Sequence, residues 1–279
     1  MADQKFKESA QLPASEAFLK LLAIMAKLRD PDGGCPWDLD QTFRTIVPHT
    51  IEEAYEVADA IEQDDLESLQ SELGDLLFQT VFYAQMAREA GRFDMTDVLR
   101  TLNAKMIKRH PHVFGEVSIA DAEQQTHAWE KQKAEERAAQ AAAKGLRPSA
   151  LDGVIPGLPA LSRAEKLQKR AARVGFDWPE AAQVLDKIAE ETHEIRAALE
   201  EKASKDSVAE EIGDLLFAVV NLARHLEIDS EGALRAANRK FERRFRRVEA
   251  ILAAQGKEPA GSTLDEMEAA WIQAKQDER

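Results

Sequence analysis

The sequence has a single cysteine, Cys35, so no intrachain disulfide can form, which suits a reducing compartment. Aromatics are scarce, and runs of alternating β-branched residues are missing, which leaves little material for strands. No apolar run approaches the roughly 20 residues that span a bilayer. The opening Met1-Ala2-Asp3-Gln4-Lys5 lacks the apolar core of a signal peptide. These absences predict a cytoplasmic protein. Positive charge is in deficit: 37 Lys and Arg face 51 Asp and Glu, a formal charge of −14. That argues against a nucleic-acid polymer or an anionic membrane as partner, while leaving room for a local cationic pocket. No phosphate-cradling Gly-rich loop is evident, and no Ser/His/Asp or Cys/His arrangement.

What the sequence does have is an acidic signature that occurs twice. Residues 52–56 read Glu-Glu-Ala-Tyr-Glu and 72–75 read Glu-Leu-Gly-Asp. Residues 190–194 read Glu-Glu-Thr-His-Glu and 211–214 read Glu-Ile-Gly-Asp. Glu53 and Glu72 lie 19 residues apart, and Glu191 and Glu211 lie 20 apart. The repeat runs further. Asn103, Lys105 and Arg109 match Asn238, Lys240 and Arg244, and Trp129/Lys133 matches Trp271/Lys275. Pro36-Trp37-Asp38 is loosely echoed by Asp177-Trp178-Pro179. Ordered self-similarity of this kind predicts two related halves. The helix breakers Gly145, Pro148, Gly153, Pro156, Gly157 and Pro159 place a linker between them. The expected division is 15–144, a linker at 145–160, and 161–279.

Both halves carry helical periodicity. Leu73, Leu76, Leu77, Thr80, Val81 and Ala84 follow i, i+3, i+4, i+7, i+8, i+11, as do Ile212, Leu215, Leu216, Val219, Val220 and Ala223. On a helix, Glu53 and Glu56 are neighbours, and so are Glu72 and Asp75. Two such pairs facing each other would repel without a cation. All-oxygen donors favour Mg²⁺ or Mn²⁺ over zinc. Asp75 lies roughly opposite Leu73 and Leu77 but on the side of Phe78 and Phe82. A helix apolar on two sides predicts Asp75, and Asp214 likewise, in an interior or an interface. The bland reading of any one acidic run is a solvated helix face. The ExxH spacing of Glu190 and His193 also fits a di-iron bundle, but such a site wants two copies and the first half has Tyr55 in that place.

Lys240 and Arg244 share a helix face, and Lys187 lies one turn before Glu191. Cations beside a metal-binding acid cluster suit a polyphosphate ligand. Asn238 falls on another face, and Trp271 is either a packing anchor or a surface for stacking a base.

The doubled EExxE and ExxD motifs resemble those of the MazG family of nucleoside triphosphate pyrophosphohydrolases. Leu28-Arg29-Asp30-Pro31, Cys35-Pro36-Trp37-Asp38 and Arg109-His110-Pro111-His112-Val113-Phe114 resemble its tandem bacterial form. The resemblance implies an all-α fold of two tandem MazG-type domains, with four-helix-bundle cores completed by homodimerisation. It implies Mg²⁺-dependent hydrolysis of ribo- and deoxynucleoside triphosphates to monophosphate and pyrophosphate. By position, Glu191, Glu194, Glu211 and Asp214 would hold the metal, with Glu53, Glu56, Glu72 and Asp75 as the matching set. Lys187, Glu190, Glu191, Asp214, Asn238, Lys240, Arg244 and Trp271 would meet the nucleotide, and Glu190 or Glu194 would take the proton from water. Lys187 stands where the first half has His49, which favours the second half as the better catalytic site. A non-catalytic helical dimerisation or regulatory module with a structural ion site is the alternative.

Overall fold

A computed structural model describes residues 13–115, 121–143 and 145–278; the opening residues Met1 to Lys5 lie outside that range. The described residues contain helices and no strand, so the all-α class holds. The chain divides into two compact units, residues 1–126 and 127–279.

In the first unit, α1 (Ala14–Leu28) and the short α2 (Pro36–Asp40) precede a long hairpin. The hairpin is α3 (Phe43–Glu62) and α4 (Leu66–Glu89), followed by α5 (Met95–Arg109) and α6 (Pro111–Phe114). α7 (Ala122–Ala143) crosses the division between units. In the second unit, α8 (Ala160–Ala172) precedes the hairpin α9 (Ala181–Glu200) and α10 (Lys205–His225). Then come α11 (Ser230–Ala254), a single 3₁₀ turn, and α12 (Leu264–Asp277). α3 packs on α4 and α9 on α10, while α1 lies against α4 and α8 against α10.

Local signals set these boundaries. Thr42 opens α3 with a capping box, and Asp65 caps α4 by accepting from the amides of Glu67 and Ser68. Thr263 caps α12 with Glu266 as its box partner. Pro111 stops α5 and begins α6. Each hairpin turns through one non-glycine residue in the left-handed region, Asp64 (φ 54°) in the first and Lys202 (φ 53°) in the second. Such a conformation costs about 1–2 kcal/mol. It recurs although the second connection is one residue longer, with Lys202 two residues before the N-cap Ser204 and Asp64 one before Asp65.

The first core gathers Met25, Ile46, Val81, Phe82, Ala84, Met86 and Met95. Arg29 joins three elements around it. Its Nη2 lies 2.7 Å from Glu89 Oε2, Nη1 donates to the Asp38 carbonyl, and its guanidinium sits over the Phe82 ring at 5.4 Å. In the second unit Asn221 takes the place of Phe82, buried, and its Oδ1 accepts from Arg224 Nε at 2.9 Å. Arg224 in turn pairs with Asp177. The clamp is thus inverted. Its arginine comes from the loop side in the first unit and from the long helix in the second.

The face of α4 marked by Leu73 and Leu77 is not core: these residues are 51% and 42% exposed, and the buried side runs through Gln79, Val81, Phe82 and Ala84. Asp75 and Asp214 are exposed in the single chain, which removes the interior placement of the expectation and not the interface one. Helical periodicity identified an apolar stripe but not which stripe packs within the unit.

Phe82 is fully buried, edge-on to Phe78 and beneath Arg29. Phe82→Ala is expected to destabilise the first unit by about 3–5 kcal/mol, read as a lower unfolding midpoint in urea. A loss under 1 kcal/mol would contradict this packing.

Candidate metal centre

The hairpins bring the acids together. Carboxylate oxygens of Glu53 and Glu56 on α3 and of Glu72 on α4 lie within 4.8 Å of one another. Those of Glu191 on α9 and of Glu211 and Asp214 on α10 do the same in the second unit. Neither cluster includes a histidine, and His193 is exposed, which leaves the di-iron pattern without support. The fourth acid of each set stands just outside. Asp75 presses electrostatically on Glu53 and Glu72. Glu194 feels the charges of Glu191 and Glu211.

The buried member is Glu191, only 4% exposed, rather than Asp214. Lys187 Nζ lies 2.7 Å from Glu191 Oε1 and 2.8 Å from Glu190 Oε1. Both acids hold the Lys187 ammonium well above its ordinary pKa, the Glu190 contact most strongly. Glu191 Oε2 is buried with no hydrogen-bond partner. In the first unit His49 Nδ1 instead lies 3.8 Å from Glu52 Oε2, and its ring meets Trp37 edge-on.

The charges show in the proton equilibria. Burial raises the Glu53 carboxyl, and Asp75, Glu56 and Glu72 raise it further. Burial, Glu56 and Asp75 raise Glu72. Glu194 is raised by burial and then by Glu191, against a lowering pull from Lys187. An orphaned buried oxygen among crowded, hard carboxylates is the donor set of a divalent cation. The residues fit such an ion in both units.

Among the described residues, the other expected substrate residues make no ion pair with the clustered acids. Asn238 and Lys240 are exposed on α11. Arg244 Nε lies 2.7 Å from Glu278 Oε2, and its guanidinium sits 5.9 Å over Trp271. Trp271 packs on Phe241 at 5.5 Å and against the core of Val248, Ile251 and Leu252. The packing role of Trp271 is therefore visible in the chain itself.

Sequence reasoning missed a cavity of about 520 Å³ beside the second cluster. Leu167, Gln168, Phe176, Trp178, Phe217 and Asn221 line it. Phe217 follows Asp214 by three residues, about 4.5 Å along α10. Gln168 Nε2 donates to the Phe217 carbonyl at 2.8 Å, while its buried Oε1 has no partner. Pro-flanked aromatics at 176–178 were the available signal.

The MazG nucleotide pyrophosphohydrolase domain matches at residues 41–114 and again at 180–248. The chain belongs to the MazG family. Each match contains one carboxylate hairpin. A nucleoside triphosphate pyrophosphohydrolase of Escherichia coli (strain K12) is 52% identical over 93% of this chain and 97% of its own length. The nucleoside triphosphate pyrophosphohydrolase/pyrophosphatase MazG of Thermotoga maritima is 43% identical over 92% of this chain and 95% of its own. A nucleoside triphosphate pyrophosphohydrolase of Mycobacterium tuberculosis is 37% identical over 58% of this chain and 46% of its own. Tandem duplication of one helical MazG unit thus accounts for the doubled motif.

The raised carboxyls give a pH signature. A folded pKa above the unfolded value means these groups add stability below about 4.5 and lose it as pH rises through the folded value. Glu53→Gln, which mimics the protonated acid, should therefore melt above the parent at pH 8 in EDTA, with the gap closing toward pH 4.5. Saturating Mg²⁺ or Mn²⁺ should reverse that order, because the cation needs the ionised acid. Melting curves with and without metal check both signs.

Proposed function

We propose that the protein hydrolyses nucleoside triphosphates, ribo- and deoxy-, to monophosphate and pyrophosphate with Mg²⁺, Mn²⁺ being the other suitable ion. The observation that carries this reading is the Glu191/Glu211/Asp214 cluster with an unpartnered buried oxygen and a lysine one turn away. The names of the relatives support the same chemistry.

Glu191, Glu194, Glu211 and Asp214 would hold the ion, as would Glu53, Glu56, Glu72 and Asp75 in the first unit. A bound divalent cation supplies Lewis acidity, offsetting phosphate charge and favouring ionisation of water. Water attacks the α-phosphorus, with pyrophosphate leaving, or the β-phosphorus, with the monophosphate leaving; either route gives the same two products. Glu194, whose pKa is raised, is the better placed proton acceptor; Glu190 already shares Lys187. Lys187, Lys240 and Arg244 would neutralise phosphate oxygens, Arg244 exchanging Glu278 for substrate. Glu190, Glu191 and Asp214 border the same nucleotide, with Asn238 and Trp271 further out on α11 and α12. The apolar cavity at Phe217 and Trp178 would take a flat base, with Gln168 Oε1 accepting from its edge.

The second unit is the more active in this reading, because Lys187 reaches the buried ligand Glu191 whereas His49 faces Glu52. With mixed NTPs and Mg²⁺, the products expected are NMP and pyrophosphate, and Glu191→Ala should cut turnover at least 100-fold, beyond what loss of an outer-shell partner costs. Glu53→Ala should cost less. Release of NDP and phosphate would sink the assignment, and loss of turnover in Glu53→Ala alone would reverse the ranking of the units.

An exposed apolar surface supports a homodimer. Ile212, Leu216 and Val219 form an exposed stripe on α10, as Leu73 and Leu77 do on α4. Unpartnered apolar stripes on both hairpins suit self-association into four-helix bundles. Light scattering should give twice the 31.1 kDa chain mass, and Leu216→Glu should shift the species toward monomer. A monomeric parent at micromolar concentration would rule the dimer out.

A further inference from the structure

Away from the acids, the second unit holds a concentration of arginine that neither the metal centre nor the proposed reaction uses. Arg137 on α7 and Arg170 and Arg173 on α8 line one cavity of about 130 Å³ with Pro148, Ser149 and Val174. That space equals roughly four waters at about 30 Å³ each. It admits a phosphoryl or pyrophosphoryl group but not a whole nucleotide.

The charges around it do not cancel. Glu130 is the one acid paired into the group, with Arg173 at 2.6 Å and Lys133 at 3.0 Å. Burial pulls the Glu130 carboxyl up, but Lys133, Arg173 and Arg170 outweigh it and hold it below the ordinary range. Arg137 and Arg170 make no ion pair within 4.0 Å among the described residues. Burial works against the Arg170 charge, and Arg137 and Arg173 add to that. Three guanidiniums crowd together in a chain whose formal charge is −14.

The backbone is shaped for one of them. Gly153 has φ 81°, and a Cβ there would come 2.9 Å from Arg137 Cδ. A glycine thus lets the Arg137 stem lie against the 148–153 segment. Walls of Ala134, Ala138, Ala150 and Val174 thin the surrounding water and strengthen any ion contact.

We propose that Arg137, Arg170 and Arg173 form a second, metal-independent anion site that takes a phosphate-bearing ligand. Guanidinium forks match phosphate oxygens in pairs, and Arg137 and Arg170 have forks to give. The ligand has two sources of the same chemistry: free pyrophosphate or the phosphate tail of a nucleotide. The proposal does not depend on the assigned reaction.

The test uses the full chain in EDTA, which removes metal-dependent binding, at constant ionic strength. Titration calorimetry with inorganic pyrophosphate and, separately, ATP should show saturable binding. Arg170→Gln and Arg137→Gln should each weaken it at least tenfold, and Arg100→Gln on the exposed side of α5 should leave it unchanged. Tighter binding of pyrophosphate names the free anion, and tighter binding of ATP names the nucleotide. Relief of like-charge repulsion should also leave ligand-free Arg170→Gln at or above the parent in melting temperature, where a purely structural arginine would lower it. Absence of binding below millimolar, parent-like binding in both Arg170→Gln and Arg137→Gln, or loss only in Lys240→Ala overturns the site.

Discussion

Mutual repulsion among carboxylates on a two-helix hairpin is the constraint on which the rest of each unit depends. Three acids within 4.8 Å cannot relax apart, because the helices that carry them are held from behind. In the first unit Ile46 and Val81 pin α3 and α4; in the second, Val184 and Val220 are buried on α9 and α10. The left-handed turns at Asp64 and Lys202 set the register that aligns the acids. Burial first, and repulsion from the neighbouring acids after it, raise the carboxyls of Glu53, Glu72 and Glu194. A cation releases that repulsion, so the cost of folding the site is recovered as affinity.

Duplication then allowed the two halves to solve the same packing problem differently. Behind the first cluster an apolar ring, Phe82, is covered by Arg29, which reaches back to Glu89. Behind the second, Asn221 and Arg224 form a polar clamp with Asp177, and Asp177 lines the large cavity. Burial acts against the charge of Asp177, but Arg224 and His225 hold its carboxyl below the ordinary range. The exchange of Phe82 for Asn221 puts polar, oriented groups at the wall of an otherwise apolar cavity. The same exchange removes aromatic filling that closes the first core. Divergence at one helix position thus connects core packing to the opening of a cavity beside one metal centre.

Much of this was legible in the sequence because the acids violate what a core alone requires. Helix type and the doubled motif both follow from local chemistry. The i, i+3 pairing of Glu53 with Glu56 and of Glu211 with Asp214 is fixed by helix geometry. Burial was not legible. Asp75 sits beside Phe78 and Phe82 in helical projection, yet α1 covers those rings and leaves Asp75 exposed. Periodicity cannot tell a stripe that packs within the unit from one left open, as the exposed Leu73 and Leu77 show. The cavity at Gln168 and the arginine group at Arg137 and Arg170 draw on residues far apart in the chain, and no spacing rule joins them.

The open stripes and the acids share the same hairpins, and that proximity has a physical consequence. Ile212 is adjacent to Glu211, and Leu216 lies two residues beyond Asp214. On the proposed dimer, covering Ile212, Leu216 and Val219 withdraws water from the flank of the acid cluster. Electrostatic interactions there then strengthen in both directions. Without a cation, the carboxylates would resist the approach of a second copy; with one, the same approach would tighten their hold on it. Metal affinity and dimer affinity would therefore be linked, each raising the other by the same factor. The apolar stripe would act as part of the metal centre, although none of its side chains can bind an ion.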